Sequence, residues 1–166
     1  LNLKDFISEF LKHRREIIYR RTLYDLKKAK ARGHILEGLA VALANVDEMI
    51  TLIKASPTPP EAKANLLARP WHSEFVKQML AGAVAPNLEE GEPLPLQKDG
   101  YHLSEIQAQA ILDMRLQRLT GLEQNKIIKE YEEVCALITD LLNVLEKHGR
   151  ITEIIREELK EIRNQF

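Results

Sequence analysis

The sequence predicts an all-α protein: a long antiparallel two-helix coiled coil with a small helical globular head at its tip. Three observations point there. One stretch near each end of the chain spaces its apolar residues by alternating steps of three and four. The ~70 residues between these stretches are cut by Pro and Gly into short helical runs. Aromatics are only 5%, with seven Gly and seven Pro, which starves a strand-rich sandwich or barrel of its usual materials.

The elements follow in order. Asn2 caps a helix that starts at Leu3, with Asp5 in its first turn. No proline intervenes before Lys54, so a continuous helix there would run about 75–80 Å at ~1.5 Å per residue. Its later half carries Leu36, Leu39, Leu43, Val46, Ile50 and Ile53, a stripe as narrow as a coiled-coil seam. Gly33 and Gly38 each cost about 1 kcal/mol relative to Ala in a helix, which implies close packing or a slight bend. Asn45-Val46-Asp47 offers a stop and restart, with Asp47 as the new cap. Thr58, Pro59 and Glu61 then form a capping box for a short helix to about Arg69.

A second short helix is expected over residues 73–81, then a linker over 86–100 in which Lys98-Asp99-Gly100 signals a turn and a small hairpin. Ser104 and Gln107 form another capping box, opening a helix that ends near Thr120-Gly121, where Thr120 with Glu123 caps the next. That last helix repeats the seam with Ile127, Tyr131, Val134, Ile138, Leu141 and Leu145. His148-Gly149-Arg150 interrupts it, and the spacing resumes at Ile151, Ile155, Leu159, Ile162 and Phe166. The expected division is therefore 1–55 as the first arm, 56–122 as the head and 123–166 as the returning arm.

Composition narrows the class further. Apolar residues at 45% and charged ones at 30% exclude a disordered tail and supply a core. Cys135, the single cysteine, precludes an internal disulfide and fits a reducing, cytoplasmic compartment. No apolar run approaches the ~18 residues of a membrane span. No signal peptide is expected, and a chain opening at Leu1 inside a helix reads as a fragment.

The formal net charge of −1 hides a strong polarity. Nine basic residues lie between Lys12 and Arg32 against only Glu16 and Asp25, leaving that stretch near +7. If the arms pair head to tail, the returning segment 147–166 does not neutralise it, and the base keeps about +8. Such a base suggests a polyanion nearby, with Arg14, Arg15, Arg20, Arg21, Lys27 and Lys28 facing it. The bland alternative is a solvated helix face.

Sites for chemistry are scarce. The histidines His13, His34, His72, His102 and His148 show no metal-ligand spacing, and there is no Gly-rich phosphate loop and no G-x-S-x-G. Trp71 after Pro70 reads as the anchor of the head's core, and Cys135 as an apolar filler beside the seam. The helix beginning at Ile106 is apolar nearly all round, so it is covered on two sides. A small head covers one of them; the other is a candidate subunit interface built from Ile106, Ala110, Ile111, Met114, Arg115, Leu116, Arg118 and Leu122. The alternative is a helix buried wholly in its own head.

Residues 107–123, QAQAILDMRLQRLTGLE, closely resemble the Q-A-Q-A-I-L-D-x-R-L-Q-x-L-T-G-L-E run of the A subunits of bacterial DNA gyrases, which are type IIA topoisomerases. So do His13-Arg14-Arg15-Glu16 with Arg20-Arg21-Thr22, and His34-Ile35-Leu36-Glu37 continuing to Asn45. Pro57-Thr58-Pro59 and Arg69-Pro70-Trp71 favour gyrase over topoisomerase IV, whose head is shorter. The similarity covers essentially the whole chain. It departs near residues 82–98, and Glu48 stands where gyrases often have proline.

The resemblance implies the coiled-coil arm and C-terminal gate of a breakage-reunion subunit. Heads of this kind pair across a two-fold axis, duplex DNA passes between the arms, and an ATPase subunit completes the heterotetramer. The family's nucleophilic tyrosine sits in an Arg-Tyr-Thr context that none of Tyr19, Tyr24, Tyr101 and Tyr131 shares, so no catalytic residue is assigned. The ATP and magnesium sites of the complete enzyme are implied to lie elsewhere, so no cofactor is expected in this chain. The same region of topoisomerase IV, or a purely structural antiparallel coiled-coil module, is the competing reading.

Overall fold

Local capping chemistry sets the helix starts. In the computed structural model, which describes residues 2–72, 96–114 and 121–165, the Asp5 N–H donates to Asn2 Oδ1 at 2.9 Å. Asn2 thus opens α1 (Leu3–Ala44), a helix of 42 residues. Thr58 opens α3 (Pro59–Ala68), with its hydroxyl accepting from the Glu61 N–H and Pro59 in the first turn, where its missing N–H costs nothing. Ser104 opens α4 (Glu105–Asp113) with both halves of the capping box made: the Gln107 N–H reaches Ser104 Oγ at 3.3 Å, and the Ser104 N–H reaches Gln107 Oε1 at 2.9 Å. With α2 (Val46–Ala55), α5 (Gly121–Glu146) and α6 (His148–Gln165), six helices lie among the described residues. The all-α class read from the sequence is the class observed.

Two expectations are corrected at the helix ends. The first helix does stop and restart at Asn45-Val46-Asp47, but the residue that precedes the restart is Asn45 rather than Asp47. The Asn45 N–H turns to the Ala42 carbonyl at 3.2 Å, and the Asn45 side-chain amide takes over the Val41 carbonyl at 2.9 Å. The freed carbonyl is therefore satisfied locally, and Asp47 falls in the first turn of α2, where its charge suits the helix dipole. The helix opened by Ser104 stops at Asp113, well short of Thr120, because Met114 takes an extended backbone (φ −79, ψ 122) that cannot continue the turn. The helix expected over 73–81, most of the linker and the Thr120 cap lie outside the described residues.

The turn signal at Lys98-Asp99-Gly100 does hold a hairpin. Strands β1 (Leu96–Gln97) and β2 (Gly100–Tyr101) pair antiparallel, with Leu96 opposite Tyr101 and Gln97 opposite Gly100. Gly100 sits at φ +134, where a Cβ would also press on Pro70 Cβ and the Trp71 carbonyl at 3.0 Å. Trp71 and Tyr101 exchange backbone hydrogen bonds at 2.9 and 2.8 Å, tying the ribbon to the segment after α3.

The contacts divide the chain into two compact units, residues Leu1–Ala29 with Ala136–Phe166, and residues Lys30–Cys135. In the first, α1 and α6 lie side by side around Ile18, Val144, Ile151 and Ile155, all nearly inaccessible to water. Burying side chains of this size stabilises by about 1.5–3 kcal/mol each. Apolar residues further out, Leu3, Phe6, Leu159 and Ile162 among them, stay exposed. Lys147 separates α5 from α6, and Arg150 bridges back across the break to Asn143 Oδ1 at 2.8 Å and Asp140 Oδ1 at 3.0 Å.

The second unit holds the larger core: Leu36, Leu39, Val41, Met49, Leu66, Trp71, Tyr101, Leu103, Ala108, Ile111 and Tyr131. Here α1 departs from the narrow seam anticipated for it. Leu36, Glu37, Gly38, Leu39, Ala40, Val41 and Ala42 are buried in unbroken succession, so the helix is wrapped on every side. Gly38 makes that wrapping possible: a Cβ there would fall 2.8 Å from both Cβ and Cγ of Gln107 on α4. Trp71 fills the centre of this core at 1% exposure, donates Nε1–H to the Leu66 carbonyl at 3.1 Å and takes the Arg69 guanidinium over its ring at 4.3 Å.

Candidate functional site

The basic face of α1 belongs to the first unit. Arg14 and Arg21 both bond Glu158 on α6, Arg21 at 2.9 Å. Arg15 donates to Thr152 Oγ1 at 2.7 Å. Burial would raise the Glu158 carboxyl, but the bonds from Arg21 and Arg14 outweigh it and hold it below its ordinary range. A single carboxylate thus serves two guanidinium groups. Arg20, Lys27 and Lys28 are exposed and make no ion pair among the described residues, so most of the positive charge faces solvent.

The candidate interface residues belong to the second unit and take different positions. Ile106 on the first turn of α4 is 63% exposed, and Leu122 on the first turn of α5 is 76% exposed. Ala110 and Met114 are half-buried, while Ile111 is enclosed by the chain's own core and presents no outer surface. Arg115, Leu116 and Arg118 lie outside the described residues.

Sequence reasoning missed one site altogether. Glu37, in an apolar stretch of α1, is 4% exposed and accepts from Tyr101 OH at 2.7 Å and from Tyr131 OH at 3.2 Å. Gln107 Nε2 donates to Tyr101 OH at 2.8 Å and to the His34 carbonyl at 2.7 Å. His34 Nε2 in turn lies 2.7 Å from Ser104 Oγ. Burial pushes the Glu37 carboxyl up, against the phenol bonds that favour its charged form. Burial and the Glu37 charge also push the Tyr101 and Tyr131 hydroxyls well up, so both stay protonated as donors rather than nucleophiles. Burial likewise raises the half-buried Cys135 thiol, which leaves it a poor nucleophile. The one sequence signal was an acid inside the run Ile35 to Ala42, where a solvated residue has no place.

No group of three His, Cys, Asp or Glu suited to a metal ion occurs among the described residues. No described helix is long and apolar enough to cross a membrane.

These positions can be set against known proteins. The family model for the A subunits of DNA gyrase/topoisomerase IV matches residues 1–160. The chain belongs to that family. The DNA gyrase A subunit of Pseudomonas aeruginosa is 52% identical over 169 aligned residues, covering 100% of this chain and 18% of the relative. Its Escherichia coli counterpart is 55% identical across 79% of this chain, and that of Streptococcus pneumoniae is 40% identical across all of it. The chain spans less than a fifth of the length of these gyrase proteins. It is thus similar throughout to one segment of a gyrase A protein, in a family of type II topoisomerases.

Proposed function

We propose that the chain is the coiled-coil and C-gate dimerisation segment of a gyrase breakage-reunion subunit, within an ATP-dependent enzyme that supercoils DNA by double-strand passage in the cytoplasm. On this reading residues 56–122 form the head that pairs with a second copy. Residues 1–55 and 123–166 form the arms, and the ATPase subunit, cofactor sites and nucleophilic tyrosine belong to other parts of the assembly. The observation that carries the proposal is the exposure of Ile106 and Leu122, two large apolar side chains left in water beside an otherwise well-filled core. Ile111 backs this surface from inside rather than touching the partner. An isologous contact needs just such a self-complementary patch, modest enough to open and reclose.

Sedimentation across a concentration series tests it. A dimer is expected at tens of micromolar, and Ile106→Arg, Met114→Arg or Leu116→Arg should shift it to monomer with helical content unchanged. A monomeric unmutated chain overturns the reading. A structural module with unrelated partners would leave supercoiling by the intact enzyme untouched by these changes.

The exposed Arg20, Lys27 and Lys28 support a second part of the same function: with Arg15 and the Glu158-paired Arg14 and Arg21 they hold the transported duplex through its phosphates. Binding is then sequence-independent and weak, and it falls steeply with salt. Replacing Arg20, Lys27 and Lys28 with Glu should abolish it in an anisotropy titration at low salt, whereas equal retention at low and high salt removes the idea.

A further inference from the structure

The cluster around Glu37 takes no part in the proposed gate or in the proposed DNA contact. It joins four elements of one unit: Glu37 and His34 from α1, Tyr101 from β2, Gln107 from α4 and Tyr131 from α5. What sets it apart is that, among the described residues, no Lys or Arg forms an ion pair with its carboxylate. Arg32 on the same helix is taken by Glu130 at 2.8 Å, Arg69 by Glu48 at 2.6 Å, and His102 by Asp99 at 2.9 Å. Among the described residues, the titratable groups that face the cluster are Tyr101 from β2, Tyr131 and Cys135 from α5, and His34, one turn before Glu37, with Glu132 near Cys135. From α4 comes only the neutral amide of Gln107, and the charged groups of α2 and α3 form no ion pair with Glu37. A carboxylate this deep, held by neutral donors alone, keeps an uncompensated charge out of water.

The bonding pattern accommodates either protonation state. Gln107 donates into Tyr101, so the Tyr101 proton is directed at Glu37 Oε2. An ionised Glu37 accepts from both phenols. A protonated one still accepts from Tyr101 and donates its own proton to the Tyr131 oxygen, the more distant partner at 3.2 Å. Both forms fit the closed cluster, but only the ionised one gains from admitting water.

We propose that Glu37 is a proton-operated latch on the seat of α4 and the β-ribbon: protonated, it closes a neutral cluster, and ionised, it favours an opening that hydrates the carboxylate. Gly38 and Gln107 put α4 within van der Waals reach of α1 at this point, and Tyr101 of the ribbon bonds the carboxylate, so lifting α4 or the ribbon exposes Glu37 to water. The sign follows from linkage. A carboxyl whose folded value is raised stabilises the closed form fully below its ordinary value near 4.5, and that stabilisation is lost as pH rises through the folded value. Each pH unit between those two values is worth about tenfold in the opening equilibrium.

Hydrogen exchange on the 166-residue chain, corrected for intrinsic rates, reads this opening directly. Protection of α4 and the ribbon should rise as pH falls from about 8 towards the ordinary carboxylate range, by about tenfold per unit over the active window. Glu37→Gln should abolish that dependence and hold α4 at or above its unmutated protection at the alkaline end. Identical pH dependence in the two proteins overturns the proposal. A second measurement needs no substitution: the Glu37 side-chain carboxyl carbon, followed by NMR, should titrate above its ordinary value and in step with α4 protection. Titration at or below that value, or titration without a change in α4, overturns the latch equally.

Discussion

Glu158 and Glu37 occupy opposite circumstances. Glu158, on α6, is reached by two arginines and keeps partial access to water. Glu37, on α1, is closed off from water and, among the described residues, takes its hydrogen bonds from two phenols. The guanidinium bonds hold Glu158 below its ordinary value, so its contribution is present above that value and is lost as pH falls through the folded one. Burial raises Glu37, so its contribution runs the other way and grows on acidification. The lesson is that one residue type answers to its partners and its solvent rather than to its helix. In the first unit a carboxylate fastens a charged surface; in the second it burdens a sealed core.

Three substitutions sharpen that contrast, from the largest effect to the smallest. Trp71→Ala removes the centre of the second unit's core, and a loss of about 3–5 kcal/mol is expected in urea unfolding. A loss near that of an exposed aromatic would mean the core is not where stability resides. Gly38→Ala should cost about 1–3 kcal/mol by forcing a methyl group against Gln107, although Ala ordinarily favours a helix over Gly by about 1 kcal/mol. A stabilised variant would refute the tight contact between α1 and α4. Glu158→Gln should cost less than about 1 kcal/mol, because the pair is partly solvated, and the effect should vanish at high salt and below the carboxylate range. An effect insensitive to salt would mean that the site is sealed as Glu37 is.

What the sequence revealed was what lies close together along it. Asn2, Thr58 and Ser104 announce helix starts because a cap and its N–H are three residues apart. Lys98-Asp99-Gly100 announces its turn for the same reason, and Trp71 after Pro70 reads as an anchor from its size and setting. The cap of α2 was placed two residues late because Asn45 satisfies the Val41 carbonyl with its side chain, a choice that apolar spacing does not record. The Glu37 cluster was missed because its partners lie 64 and 94 residues away and are ordinary tyrosines, one in a short strand and one in a helix. For the basic face, charge counting picked out the positions. It had no means of singling out Glu158, which lies far along the chain, as the acid shared by Arg14 and Arg21.

The closeness of Gly38 to Gln107 carries a consequence for how such a chain can change. A side chain added at position 38 forces position 107 to shift or give up bulk. Yet Gln107 supplies the Ser104 cap, the His34 carbonyl bond and the Tyr101 bond together, so trimming it undoes three attachments in one step. A change at either residue therefore presses on the other, and one that shortens Gln107 gives up the bonds that fix where α4 begins. The two sites behave as one unit of heredity, joined by an interval too small for a methyl group.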